Sequence, residues 1–163
     1  MKIPTMDLDA QIQVLVNSAP QDGSTPAVVA TIAPVLKVLA QRLQHLQYYV
    51  LQTADQEWMV TTLSNRARPD VEKRVLYAFP TLEDARSSLK PPRPANLMAV
   101  ALPVVHLLFQ MVALKTIDSL IFFETSGNLE NGIEILGVDV RKSVQIQLEK
   151  KLSAPPSIPP NFA

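Results

Sequence analysis

The chain reads as an α+β protein, a layered domain whose mixed sheet of about five or six strands is packed by helices, two ahead of it and one behind. Three observations predict this. Apolar stripes at helical spacing stand at both ends of the chain. Runs rich in aromatic and β-branched residues fill the middle. The longest uncharged stretch, Pro94 to Leu114 between Arg93 and Lys115, divides at Pro103 into a strand and a helix.

Taken in order, Asp7 to Asn17 is predicted as a short amphipathic helix with Leu8, Ile12 and Leu15 on one face. Ala19 to Pro26 is a loop by its Pro, Gly and Ser content. A longer helix carries Val28, Ile32, Val35, Leu36, Leu39, Leu43 and Leu46 as one stripe; Pro34 predicts a kink or a helix start near it. Gln47 to Gln52 and Glu57 to Leu63 read as the strands of a hairpin closed by TADQ. Asn65 to Lys73 is a polar loop and Arg74 to Phe79 a third strand. Thr81 to Asp84 is a helix start: the Thr81 hydroxyl accepts from the Asp84 N–H, and Asp84 reaches back to the Thr81 N–H. Acids in that first turn favour the positive end of the helix dipole. The helix runs to about Leu89, where PPRP ends it.

The uncharged stretch has about the length of a membrane span. Asn96, His106 and Gln110 interrupt it, however, and Pro103 would delete a backbone hydrogen bond at its centre. Its flanks show no Lys/Arg asymmetry and no aromatic belt. The reading is therefore a buried strand over Leu97 to Leu102, Pro103 as the first helical residue, and a buried helix from Val104 to Lys115, with no integral membrane span. Ser119 to Glu124 is a further strand. Gly127, Gly132 and Gly137 mark tight turns around a short strand, Ile133 to Leu136. Val140, Val144, Leu148 and Leu152 define a last helix, with Lys150 and Lys151 near its negative end. The expected organisation is one domain over 1–153, with a helical part (5–46) and a sheet part (47–153), then a proline-rich extended tail over 154–163.

With 163 residues, 47% apolar and 18% charged, the chain can bury a real core and lacks the composition of a disordered segment. Fifteen basic residues balance fifteen acidic ones, so there is no electrostatic case for binding nucleic acid or an anionic membrane. The absence of cysteine excludes a disulfide framework and thiol catalysis, and fits a cytoplasmic location. Pro4, Asp7 and Asp9 interrupt any signal-peptide core, so the mature protein is expected to begin at or near Met1.

Sites with chemistry are sparse. His45 and His106 lie far apart without metal-ligand spacing, and zinc needs three or four convergent ligands. The segment Glu124 to Asn128 resembles a nucleophile elbow but lacks its first glycine; a triad of Ser126, His106 and Asp118 can be written, yet no spacing asks for it. Glu83 and Asp84 point about 100° apart on a helix and do not share a face. No phosphate-binding glycine loop occurs. Arg66, Arg68, Lys73 and Arg74 are interleaved with Asp70 and Glu72, as in a solvated loop. No metal or cofactor is implied.

The order YYVLQ, EWMVTTL, VLYAFPTLEDARSSL, LMAVALPVVHLLFQM and IDSLIFFE, spanning Tyr48 to Leu136, resembles the repeat unit of the Tic-type translocon-associated proteins of plastids and cyanobacteria. More loosely it resembles SseB-like domains, where a strand, an acid-rich "EEA" helix and an "idGlv" strand recur. Asp118-Ser119 stands where a glycine is usual after the aspartate, and the unit occurs once. The resemblance implies a non-catalytic protein that handles other polypeptides, and it carries no binding residue with it.

The leading expectation is a non-enzymatic interaction or assembly module, chaperone-like, whose partner is another polypeptide; a homo-oligomer is left open. Trp58 and Tyr48 are the candidate anchors, since aromatics dominate interface energetics, with Tyr77 and His106 as further candidate binding residues. The alternative is a small-molecule-binding domain or hydrolase-like enzyme, with His106, Glu124 and Ser126 near strand ends. A third reading attaches the first helix peripherally to a membrane through Leu8, Ile12 and Leu15, although its polar face carries Asp7 and Asp9 and no cation.

Overall fold

A computed structural model describes residues 7–64, 67–68, 70–89 and 96–153. The expected tail (154–163), the PPRP segment, Arg66 and the side chain of Leu152 lie outside the described residues.

Asp7 opens α1, Leu8–Ser18, by accepting from the Ala10 N–H at 2.8 Å, one of the donors a helix start leaves free. Leu8, Ile12 and Leu15 pack against the main core, so the face considered for lipid is occupied within the protein. Gln11, only 2% exposed, ties three segments together. Its Nε2 donates to Leu46 O at 2.8 Å, and its Oε1 accepts from the Val105 N–H at 3.0 Å.

The second helix, α2, spans Thr25–Ala40. Asp22 caps it from outside, accepting from the Thr25 hydroxyl and from the N–H groups of Thr25 and Ser24. Those bonds, Thr25's foremost, hold the Asp22 carboxyl far below the usual carboxylate range. Pro34 lies inside α2 without ending it. It faces solvent, and the Thr31 carbonyl one turn back accepts from Gln147 Nε2 at 3.3 Å. The buried face is Val29, Ile32, Ala33, Leu36 and Ala40, rotated by one residue from the expected stripe, and Val28 is exposed. Because the helix stops at Ala40, Leu43 is buried in the following turn and Leu46 is exposed.

Next come β1 (Gln47–Thr53), β2 (Thr61–Ser64), β3 (Glu72–Ala78), α3 (Leu82–Ser87) and β4 (Leu97–Pro103). They are followed by α4 (Val104–Ala113), β5 (Ser119–Phe123), β6 (Gly132–Leu136) and α5 (Gly137–Ser153). The architecture is α+β, as expected, but the strands form two sheets rather than one. The larger has the order β2-β3-β5-β6, with β3 and β5 parallel and the outer pairs antiparallel. The smaller is β1-β4, antiparallel from Gln47↔Pro103 to Thr53↔Leu97. The two touch where Tyr49 and Phe79 exchange backbone hydrogen bonds of 2.7 and 2.8 Å.

The expected hairpin closed by TADQ forms only at its closed end, where Gln52 and Trp58 make an antiparallel bridge; β1 and β2 themselves do not pair. A turn does close after β1, with the Thr53 N–H on Glu57 O at 2.8 Å and the Met59 N–H on Leu51 O at 2.9 Å. Beyond Trp58 the chain departs to pair with β3, and β1 takes β4, which matches its whole length. A second correction concerns β4 itself. It was expected as a buried strand, yet none of its seven residues is buried. Pro103 ends β4 and caps α4 instead of entering the helix.

Alternation along the strands gives the sheets two unequal faces. Tyr48, Val50, Leu76, Ala78, Leu120, Phe122 and Ile135 look into the main core with side chains of α2, α4 and α5. On α4, Val104, Val105, Leu107, Leu108 and Met111 are fully buried, each contributing about 1.5–3 kcal/mol. The opposite face carries Tyr49, Leu51, Tyr77, Phe79, Ile121 and Phe123, and only the α3 region (Ala85 and Leu89) packs on it among the described helices. No helix among the described residues is long and apolar enough to cross a membrane.

Candidate functional site

The four aromatic and imidazole residues singled out by sequence go to three places. Tyr48 is 0% exposed, its ring edge-on to Phe122 at 4.8 Å. Its hydroxyl donates to Glu124 Oε1, and burial together with that carboxylate pushes the phenol well above its ordinary range. Glu124 Oε2 accepts from the Gln44 N–H at 2.6 Å, and the Glu124 carbonyl accepts from His45 at 2.7 Å, which places the imidazole proton on Nε2. Tyr48 and Glu124 therefore tie the turn before β1 to the end of β5. Neither Tyr48 as a surface anchor nor Glu124 as a pocket carboxylate survives this, because both are spent internally.

Tyr77 stands on the thinly covered face. Its ring stacks on Phe123 at 5.6 Å and 15°, and Phe79 stacks on Phe123 at 5.4 Å and 26°. These three rings form the floor of a cleft of about 480 Å³ whose walls include Leu51, Leu89, Met59 and Leu129. Met59 and Leu129 are exposed at its rim. Among the described helices only α3, six residues long, lies on this face. The position of α3 is fixed at its N-terminal turn by two bonds of Asp84. Thr81 Oγ1 accepts from the Asp84 N–H at 3.1 Å, as the capping pattern predicts. The reciprocal arm is not made: Asp84 Oδ1 instead accepts from the Gly127 N–H at 3.0 Å, pinning the helix to the loop after β5. Gly127 sits at φ +81°, where a side chain would be strained. Asp84 Oδ2 is buried without a partner.

Trp58 and His106 come together elsewhere. They line a second cleft, of about 790 Å³, with Val100 and Leu102 of β4, Gln52, Gln56, Glu57 and Gln110. His106 projects from α4 beside this cleft, and burial lowers its pKa, so the imidazole is neutral at neutral pH. The cleft thus offers an indole, a neutral imidazole and three amides around an apolar wall.

The written triad is not assembled: Asp118 Oδ2 accepts from the Arg74 N–H at 2.7 Å, and no hydrogen bond joins Ser126, His106 and Asp118. Lys73 and Arg74, expected in a basic loop, lie on β3 instead and pair with Glu134 and Asp118. Lys73, with help from the Ser119 hydroxyl, holds the Glu134 carboxyl below its ordinary value. No three His, Asp or Glu side chains converge as metal ligands among the described residues. Phe79 and Phe123 were not singled out by sequence, although a signal was present: Phe79 follows Tyr77, and Phe123 follows Ile121, at the two-residue period that puts strand side chains on one face.

Comparison of the chain with protein-family models and with curated proteins finds no match.

Proposed function

We propose that this chain is a non-enzymatic polypeptide-binding module, and that the cleft floored by Tyr77, Phe79 and Phe123 receives an extended apolar segment of its partner. The observation that carries the reading is the cleft lined by the stacked rings of Tyr77, Phe79 and Phe123, where Tyr77 is half-buried, Phe79 and Phe123 are buried, and Met59 and Leu129 are exposed beside them. Stacked rings present large rigid apolar area, and a thioether adapts to varied side chains, which suits recognition of hydrophobic character over a fixed sequence. The likeness of Tyr48 to Leu136 to the Tic-type repeat unit points to the same class of partner. The test is a titration of the full chain with a fluorescent, permanently unfolded carboxymethylated polypeptide. Saturable binding that Met59→Asp and Leu129→Asp each weaken at least ~10-fold is expected, since charge at the rim opposes an apolar guest. Absent binding, or binding indifferent to both substitutions, rejects the reading.

A second reading is favoured by the meeting of Trp58, His106, Gln52 and Gln110, which gives a small organic ligand both an apolar wall and polar groups to orient it. Trp58 is the sole tryptophan, so its fluorescence reports directly on occupancy of that cleft. A metabolite screen in which no compound shifts the emission or the melting temperature disposes of it.

A further inference from the structure

We infer that the outer edge of β4 is a self-association edge, and that its occupant is β4 of a second copy of this chain, paired antiparallel about Ala99. The backbone pattern shows which groups are offered. Tyr49, Leu51 and Thr53 point their backbone polar groups away from β4, toward Phe79, Met59 and Glu57. Their partners across the ladder, Ala101, Ala99 and Leu97, therefore point theirs outward, away from β1. Among the described residues nothing pairs with that edge.

The molecule treats its sheet edges unequally. Edge strands are ordinarily blunted by short length or by charge. β2 has four residues, and β6 carries Glu134, ion-paired to Lys73. β4 has neither device: it is seven residues long and wholly uncharged, its one proline, Pro103, stands at its last position, and Met98 is 49% exposed. An uncharged strand meets no electrostatic opposition from its own copy. Centred on Ala99, the pairing sets Leu97 against Ala101 of the other copy and Ala99 against Ala99, so all three outward residues exchange hydrogen bonds. It also joins two two-stranded ribbons into one four-stranded sheet, β1-β4-β4-β1. A single strand from an unrelated protein would add one strand and would find no charge on β4 to recognise.

The experiment is sedimentation equilibrium of the full chain over a concentration series, with amide hydrogen exchange at high and low concentration. The expected result is a species of twice the chain mass that dissociates on dilution. The amides of Leu97, Ala99 and Ala101 should be protected only in the dimer. Ala101→Lys restores a charged edge and should give monomers at every concentration with unchanged far-UV circular dichroism. Ala99→Pro should do the same, since proline is tolerated where an edge N–H faces solvent. A chain that stays monomeric throughout overturns the proposal. So does a dimer that persists in both variants, or protection of the three amides in a monomer, which would mean that the chain covers its own edge. The rim variants Met59→Asp and Leu129→Asp lie off β4 and should leave the dimer intact, so failure of this proposal and failure of the polypeptide-binding reading are distinguishable.

Discussion

Several side chains here act as connectors, and their roles follow from where their polar atoms end up. Tyr48 fills the core with its ring and donates its hydroxyl to Glu124. Tyr48→Phe keeps the packing but strips Glu124 Oε1 of its donor, and should cost about 1–3 kcal/mol in chemical denaturation. From sequence Tyr48 looked like an anchor for a partner, because an aromatic on a predicted strand does not reveal which face it takes. Gln11 was equally opaque: its side chain bonds to Leu46 and Val105, 35 and 94 residues away. Thr81 was legible, since its bond spans three residues.

His106 adds a pH dependence. Burial lowers its folded-state pKa from the ordinary value of 6.5. Below that pH the unfolded chain takes up a proton that the folded chain resists, so stability present at neutral pH is lost as pH falls toward the folded value. The melting temperature should drop more between pH 7.5 and 5.5 in the wild type than in His106→Gln. Equal drops in the two proteins would contradict the assignment.

At the scale of elements, the helices and strands were largely readable and their pairing was not. Pro103 divides the uncharged stretch into β4 and α4 because a ring without an N–H suits a strand end and a helix start. The partner of β1 depended on a strand some fifty positions on, a choice that local turn chemistry cannot show. β5 and β6 fit closely for a local reason. A Cβ on Gly132 would lie 2.6 Å from Ile121 Cγ2 and 3.3 Å from Phe122 O. Gly132→Ala should therefore destabilise the protein by about 1–3 kcal/mol and raise amide exchange along β6 first. Unchanged stability would mean that β6 shifts freely and is not held as described.

For the molecule as a whole, the proposed function rests on unequal helix packing against the two sheet faces. One face is sealed by α2, α4 and α5; the other carries stacked aromatics beneath a six-residue helix. Composition foretold a core, but it could not say how the helices would be shared between the two faces, since that depends on contacts between segments far apart in sequence. Methyl and amide NMR of the full chain, titrated with the unfolded carboxymethylated polypeptide, tests this account most directly. Shifts should concentrate at Leu51, Met59, Tyr77, Phe79, Phe123 and Leu129. Shifts confined to Trp58, His106 and their neighbours, or none at saturating polypeptide, would contradict it.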